Sequence, residues 1–233
     1  MLVLIAAMDE EICDLRSSMA VTGVDERDRF VVYRGTCAGR KLLLARSGVG
    51  RRRAERACRS VLDHYPVSAI ISFGFAGALN SNLKIGDVVV CSSVVSSDKA
   101  HGPMCSCDPA LLSAARACKV PSLSCGVGVT APGLVASISQ KRALFENSEA
   151  DIVDMESYWI GAVAAENNVP FIAVRSVSDS ATDSLPDLPS WKWWHLAPHF
   201  ALHPGQAFSL YRGVTRARKN MSRFLSRMIE VAA

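Results

Sequence analysis

The feature that most constrains this chain is an alternation, repeated along most of its length, of strand-length apolar runs with segments of helical pattern. Leu2–Ala6 reads as a buried strand and Glu10–Met19 as a helix. Phe30–Arg34 and Lys41–Ala45 read as a hairpin pair with Gly35 and Gly39 between them. After Ser47-Gly48-Val49-Gly50 an Arg-rich helix runs to His64. Val67–Phe73 is another strand, ending in Gly74-Phe75-Ala76-Gly77, and Val88–Val95 follows the turn Lys84–Asp87. Asp108 caps a helix through Cys118, with Pro109 at its first position. Ser124–Val129 and Asp151–Val153 are short strands, Ser157–Asn167 a helix, and Phe171–Val177 a strand introduced by Pro170. This order predicts an α/β fold: one domain over residues 1–233, with a central, mixed and mostly parallel sheet flanked by helices. In such sheets ligands bind outside the carboxyl ends of the strands.

Two segments break the rhythm. Residues 180–205 carry Pro186, Pro189, Pro198 and Pro204 around Trp191, Trp193 and Trp194, the composition of a lid. The same aromatics beside Lys192 and His195 also suit a membrane–water interface, and a loop this long can instead be a disordered insert. A basic helix over 206–230 follows. Leu210, Val214, Ala217, Met221, Leu225 and Met228 recur at helical spacing and should face the body, with Arg212, Arg216, Lys219, Arg223 and Arg227 mostly opposite. His195, His199 and His203 are evenly spaced, but Pro198 and Pro204 interrupt the run, and no metal site is expected.

With 49% hydrophobic residues the chain can build a core without disulfide or metal staples, and 21% charged residues exclude wholesale disorder. A net charge of +4 does not call for nucleic acid. Its distribution gives two basic clusters, Arg51, Arg52, Arg53, Arg56 and Arg59 and the last helix, read as solvated faces or as surfaces for phosphate or anionic lipid. The eight cysteines form no Cys-x-x-Cys pair, and Cys105-Ser106-Cys107 is the only close one; several of the others sit in apolar runs, where a free thiol behaves as a small hydrophobe. Met1–Ala7 has no basic start and runs into Asp9-Glu10-Glu11, so it reads as a strand rather than a signal peptide. No run reaches the roughly 18 apolar residues of a membrane span. The expectation is a cytoplasmic protein, with peripheral membrane contact left open.

Three acids follow strands: Glu11, Glu156 and Asp179. Taken singly, each reads as a helix cap or a surface charge. Together at one crevice they suit chemistry that protonates one atom, activates a water and stabilises a cation.

The residues around these acids carry a resemblance. Ala7-Met8-Asp9-Glu10-Glu11 is similar to the Ala-Met-Glu-Glu-Glu start of the methylthioadenosine/S-adenosylhomocysteine nucleosidases. Ser72–Leu79 with Leu83–Val88, Asp154-Met155-Glu156-Ser157 and Val174–Asp179 resemble, in order, the Gly-rich loop, Glu-Met-Glu and Arg-x-x-Ser-Asp motifs of the purine nucleoside phosphorylase and nucleosidase superfamily. Within it, Ile71–Gly77, Val153–Ser157 and His203-Pro204-Gly205-Gln206 look like the hopanoid-associated phosphorylases, which remove adenine from adenosylhopane.

The resemblance implies cleavage of an N-glycosidic bond through an oxocarbenium-like state. It implies that Asp179, protonated, donates to N7 of adenine and that Glu11 orients the attacking water. Glu156 would bind the ribose hydroxyls with Met155 against the sugar, and Phe75, Ala76, Gly77, Leu134, Val135 and Ser178 would line the substrate. Phe75 stands where the nucleosidases have a small Ser, and Asp154 replaces the first Glu of Glu-Met-Glu. No cofactor is implied, although inorganic phosphate is an open co-substrate, for which Gly48, Gly50 and Arg51 would form the loop. Hydrolysis and phosphorolysis both stay open. A homo-oligomer, dimer or trimer, is implied. The alternatives are a methylthioadenosine/S-adenosylhomocysteine hydrolase, a non-catalytic nucleoside-binding protein of the same fold, and a membrane- or nucleic-acid-binding module. The last would explain the arginines but not the three strand-end acids.

Overall fold

The computed structural model describes residues 1–27, 30–185 and 204–231. The elements run β1 (Leu2–Ala6), α1 (Asp9–Ser18), β2 (Ala20–Arg27), β3 (Phe30–Cys37), β4 (Arg40–Arg46), α2 (Arg51–His64) and β5 (Ala69–Ala78). They continue with β6 (Val88–Ser96), β7 (Cys105–Ser106), α3 (Pro109–Ala117), β8 (Leu123–Thr130), α4 (Ile138–Ser148) and β9 (Ile152–Asp154). The last three are α5 (Ser157–Glu166), β10 (Phe171–Asp179) and α6 (Pro204–Val231).

All described strands join one mixed sheet, in the order β10-β6-β8-β9-β5-β1-β4-β3-β2, with β7 on β6. Because β10 also pairs with β5, the strands β5, β10, β6, β8 and β9 close into a ring, which leaves them no free edge. The parallel pairs β4–β1, β1–β5 and β5–β10 run side by side, so their carboxyl ends share one rim. Helices cover the sheet in two groups. The last helix lies on β10, β5 and β6 with α1 and α3 beside it, and α2 packs on α5.

The local reasons are conventional. Val3, Leu4 and Ile5 are fully buried, as an all-apolar central strand requires. Asp108 accepts from the amides of Ala110 and Leu111 and starts α3, with Pro109 where no amide donor is needed. On α6, Ala217, Met221, Phe224, Leu225 and Met228 are buried, while Arg212, Arg216, Lys219, Arg223 and Arg227 are exposed.

Besides the short strand β7, which the sequence did not announce, three elements differ from the sequence expectation. β2 is a polar, mostly exposed edge strand with no apolar alternation to announce it. Helix α4 is weakly amphipathic, and its buried residue is Lys141. β5 does not stop at Phe73 but continues through Gly74–Ala78, pairing with β10 up to Gly77 and with β9 at Gly77 and Ala78. The tryptophans and histidines of the expected lid at 180–205 lie outside the described residues, of which 180–185 form a turn after β10.

Candidate active site

The common rim brings the sequence-predicted acids to the end of β5. Glu11, third residue of α1, turns back over the helix start. Its Oε2 accepts from the amides of Ala7 and Met8 at 2.9 and 2.8 Å, the N-terminal half of a capping box. Its Oε1 accepts from the amide of Phe75 at 2.9 Å, which ties the acid to β5. A carboxylate has about four acceptor positions, so one stays open to a water. Burial raises the pKa of Glu11, against the pull of the Phe75 amide and of Arg175.

The approach of Glu11 to β5 is possible because residue 74 is glycine: a Cβ there would stand 2.4 Å from Glu11 Oε1. At Gly77 a Cβ would meet Asp179 Oδ2 at 3.0 Å. The two glycines thus mark where two acids touch the same strand, three residues or about 10 Å apart. Phe75 and Ala76 lie between them.

Glu156 follows β9 and opens α5. Its Oε1 accepts from the amide of Gly50, the residue preceding α2, at 2.7 Å. The φ of +95° at Gly50 belongs to the left-handed region and favours glycine there. Burial first, then the charges of Asp154 and Glu11, push the Glu156 carboxyl up to about 8. The cation that balances this cluster is Arg175 of β10. It is buried and donates to Asp154 Oδ2 and Ser72 Oγ, each at 2.8 Å. Burial works against its charge, but Asp154, Glu11 and Glu156 outweigh that and raise its pKa.

Asp154, the shortened member of the Glu-Met-Glu-like motif, is wholly engaged. It accepts from Thr130 Oγ1 at 2.6 Å and from the Ser157 amide at 3.1 Å besides Arg175. Its role is to hold Arg175 and the start of α5.

Asp179 ends β10. Ser178 Oγ donates to its Oδ1 at 2.6 Å, and Lys141 Nζ donates to its Oδ2 at 2.5 Å. The same ammonium donates to the carbonyls of Ser180 and Asp183 at 2.7 and 3.0 Å.

A family model described as the phosphorylase superfamily matches residues 1–230. The chain belongs to the phosphorylase superfamily.

Solved structures share the superfamily chain's fold at low identity. The 5′-methylthioadenosine/S-adenosylhomocysteine nucleosidase from Neisseria meningitidis, in complex with methylthio-immucillin-A, is 24% identical, with 98% of each chain covered and a TM-score of 0.83. The corresponding nucleosidase from Colwellia psychrerythraea, in complex with adenine, is 20% identical over 98% of this chain and 94% of that one, TM-score 0.81. Futalosine hydrolase of Helicobacter pylori is also 20% identical, over 98% and 97%, TM-score 0.81.

The remaining predicted residues of this superfamily member fall as follows. Met155 is half-buried between β9 and α5. Leu134 and Val135 lie half-buried in the loop between β8 and α4, and Val135 packs on the small cluster that includes Val153. Val153 in turn is within contact of the Gly77 position. The loop Ser47–Gly50 uses its own donors: the Ser47 and Gly48 amides bond to the carbonyls of Ala6 and Ala7, and the Gly50 amide to Glu156. Arg51 pairs with Glu55 at 3.0 Å and stacks its guanidinium 4.1 Å from the centre of the Trp159 ring.

Sequence reasoning missed Lys141 and the roles of Thr130 and Ser72. Lys141 lies in α4, the helix it failed to find, and nothing in Ser-Gln-Lys-Arg marks which cation turns inward. For Ser72 and Thr130 the only signal was position within a strand or at its end, Ser72 beside Arg175 and Thr130 beside Asp154. Among the described residues no cluster of His, Cys, Asp and Glu could hold a metal ion, and no helix is long and apolar enough to cross a membrane.

Proposed function

We propose that the protein cleaves the N-glycosidic bond of a 5′-modified adenosine by hydrolysis, releasing adenine. The observation that carries this reading is the row of acids along the end of β5: Glu11 at Gly74–Phe75, Glu156 beside it, and Asp179 at Gly77. In this reading the ribose lies at the Glu11–Glu156 end and the base at Asp179. As the C1′–N9 bond lengthens, positive charge grows on the sugar, where a negative charge at Glu11 acts most strongly, while Glu156 keeps its proton to about 8. Glu156 accepts from the ribose hydroxyls, and the open acceptor position of Glu11 orients the water that adds to C1′. Asp179 faces N7 of the departing adenine, and the proton required there comes from the hydrogen-bonded group Lys141–Asp179–Ser178. The superfamily membership and the nucleosidase-like folds support this assignment.

Hydrolysis is favoured over phosphorolysis because the glycine loop that would cradle phosphate has its Gly50 amide on Glu156 and its Arg51 on Glu55 and Trp159. The 5′ substituent we assign is long and apolar, as in adenosylhopane, on the resemblance of Ile71–Gly77 and Val153–Ser157. With such a substrate the enzyme works as a cytoplasmic homo-oligomer in peripheral contact with a membrane, for which the exposed cations of α6 are the candidate surface.

The test is adenine release from adenosines carrying 5′-methylthio, 5′-homocysteinyl and long 5′-alkyl groups, each with and without phosphate. The expected result is fastest release from the alkyl compound, with free ribose-type sugar and no dependence on phosphate. A sugar 1-phosphate product would replace hydrolysis by phosphorolysis, and preference for the thioethers would replace the long-chain assignment. No release from any nucleoside by the folded protein would overturn the enzymatic reading.

A further inference from the structure

Lys141 is 1% exposed and lies in the interior beside a carboxylate that is itself buried. A buried ammonium is costly unless each of its protons finds an acceptor. Here all three do, and all three acceptors belong to the chain that ends β10: Asp179 Oδ2, the Ser180 carbonyl and the Asp183 carbonyl. The turn is closed on itself by the Ser180 amide donating to Asp183 Oδ2 at 2.8 Å. It is anchored to the start of α4 by the Leu185 amide on the Ala136 carbonyl at 2.9 Å. The capping box of α4 fixes that start, with the Ser137 side chain accepting from the Gln140 amide one residue before Lys141.

We infer that Lys141 is a positioning residue for Asp179. It holds the acid's outer oxygen at the strand end and joins it to the turn 180–183, so that the acid stands in place only while that turn is folded against α4. Ser178 holds the other oxygen. The two contacts leave the carboxyl no rotation of its own, and Gly77 gives it the space it occupies. The inference rests on the reading of Asp179 as the residue that meets the leaving base. Among the described residues, the charged group that contacts Asp179 is Lys141 from α4; the Asp183 carboxylate in the turn is engaged by the Ser180 amide.

The experiment compares wild type, Lys141→Met, Lys141→Arg and the charge-balanced double variant Lys141→Met/Asp179→Asn. Kinetics are measured with the best nucleoside of the panel above. Lys141→Met should lower kcat by about 100-fold, the size of a lost acid contribution, with KM little changed and an altered pH–rate profile. Lys141→Arg should recover part of kcat. Full kcat in a Lys141→Met protein whose only defect is a lower melting temperature would overturn the inference. Should Lys141→Met fail to fold, ¹⁵N NMR of the lysine side chains decides in its place. Wild type should show one exchange-protected ammonium, absent from the folded double variant and displaced in Asp179→Asn. The lack of a protected ammonium, or one indifferent to Asp179→Asn, would overturn it equally. That spectrum needs no turnover: a wild type inactive on every nucleoside would sink the proposed function and leave this result standing on its own.

Discussion

At the scale of single residues the site depends on where side chains are missing. Gly74 and Gly77 admit the carboxylates of Glu11 and Asp179 to the edge of β5, at virtual Cβ distances of 2.4 and 3.0 Å. Contacts below 3.0 Å force something to move, and at Gly74 the mover is the carboxylate that should direct water. Gly74→Ala is therefore expected to break the Glu11–Phe75 bond and reduce kcat by about 100-fold. Gly77→Ala, with the gentler contact, should cost several-fold less. Adenine release by the two purified variants checks the ranking, and equal activities would contradict it. These glycines were legible in the sequence only as a Gly-rich strand end; which acid each one admits depends on the strand register. Lys141 was not legible at all, because burial of a lysine is decided by the carbonyls and the carboxylate it finds from residues almost forty positions away.

At the scale of elements, the sequence disclosed what periodicity writes and concealed what pairing decides. The apolar strands β1, β4, β6 and β10 and the Arg-rich α2 could be read directly, since each has a strong one-sided or all-apolar pattern. The polar edge strand β2 has none, and the continuation of β5 through Phe75–Ala78 looked like a loop until β9 and β10 were seen to pair with it. The ring of five strands has no local signature, because it closes through the non-sequential pair β5–β10. Helix α6 shows the opposite case: of the stripe expected from spacing, Ala217, Met221, Leu225 and Met228 are buried and Val214 is half-buried, while the Leu210 side chain lies outside the described residues. At about 100° per residue, Arg212, Arg216, Lys219, Arg223 and Arg227 share an arc of about 80° on its outer side. Arg227 is also used structurally, donating to the carbonyls of Cys118 and Lys119. Each cation close to an anionic membrane contributes about 1 kcal/mol. Lys219→Glu/Arg223→Glu should thus weaken sedimentation with anionic vesicles at low salt by at least about tenfold, and leave adenine release from a soluble nucleoside unchanged. Wild-type protein that stays in the supernatant would remove the membrane contact from the proposal.

For the molecule as a whole, the acids make stability depend on pH in a definite direction. Glu156 keeps its proton to about 8 in the folded chain, against 4.5 for the ordinary group. Between those values the folded state binds more protons than the unfolded one, so the free energy of unfolding falls as pH rises through the window. Below 4.5 both states are protonated and the difference vanishes. Glu11 is raised as well and acts in the same sense. Glu156→Gln should remove most of the slope: its stability relative to wild type, from urea unfolding, should grow with pH across the window. A constant difference would mean that Glu156 ionises normally. The fold accepts this cost because Arg175, buried with Asp154, supplies the positive charge the cluster needs.

The position of β5 has a consequence for how such a protein can change. Near the chemistry β5 is flanked by β10 up to Gly77 and by β9 at Gly77 and Ala78, and the Phe75 amide is held by the Glu11 carboxylate. These amides should exchange with deuterium only through global opening, among the slowest in the chain. The chemistry is thus carried by the part least able to drift, together with the turn that Lys141 ties to Asp179, whereas the loop 132–135 before α4 hangs from the rim. That loop can be rewritten, and with it the choice of nucleoside, without disturbing the bond that is cut.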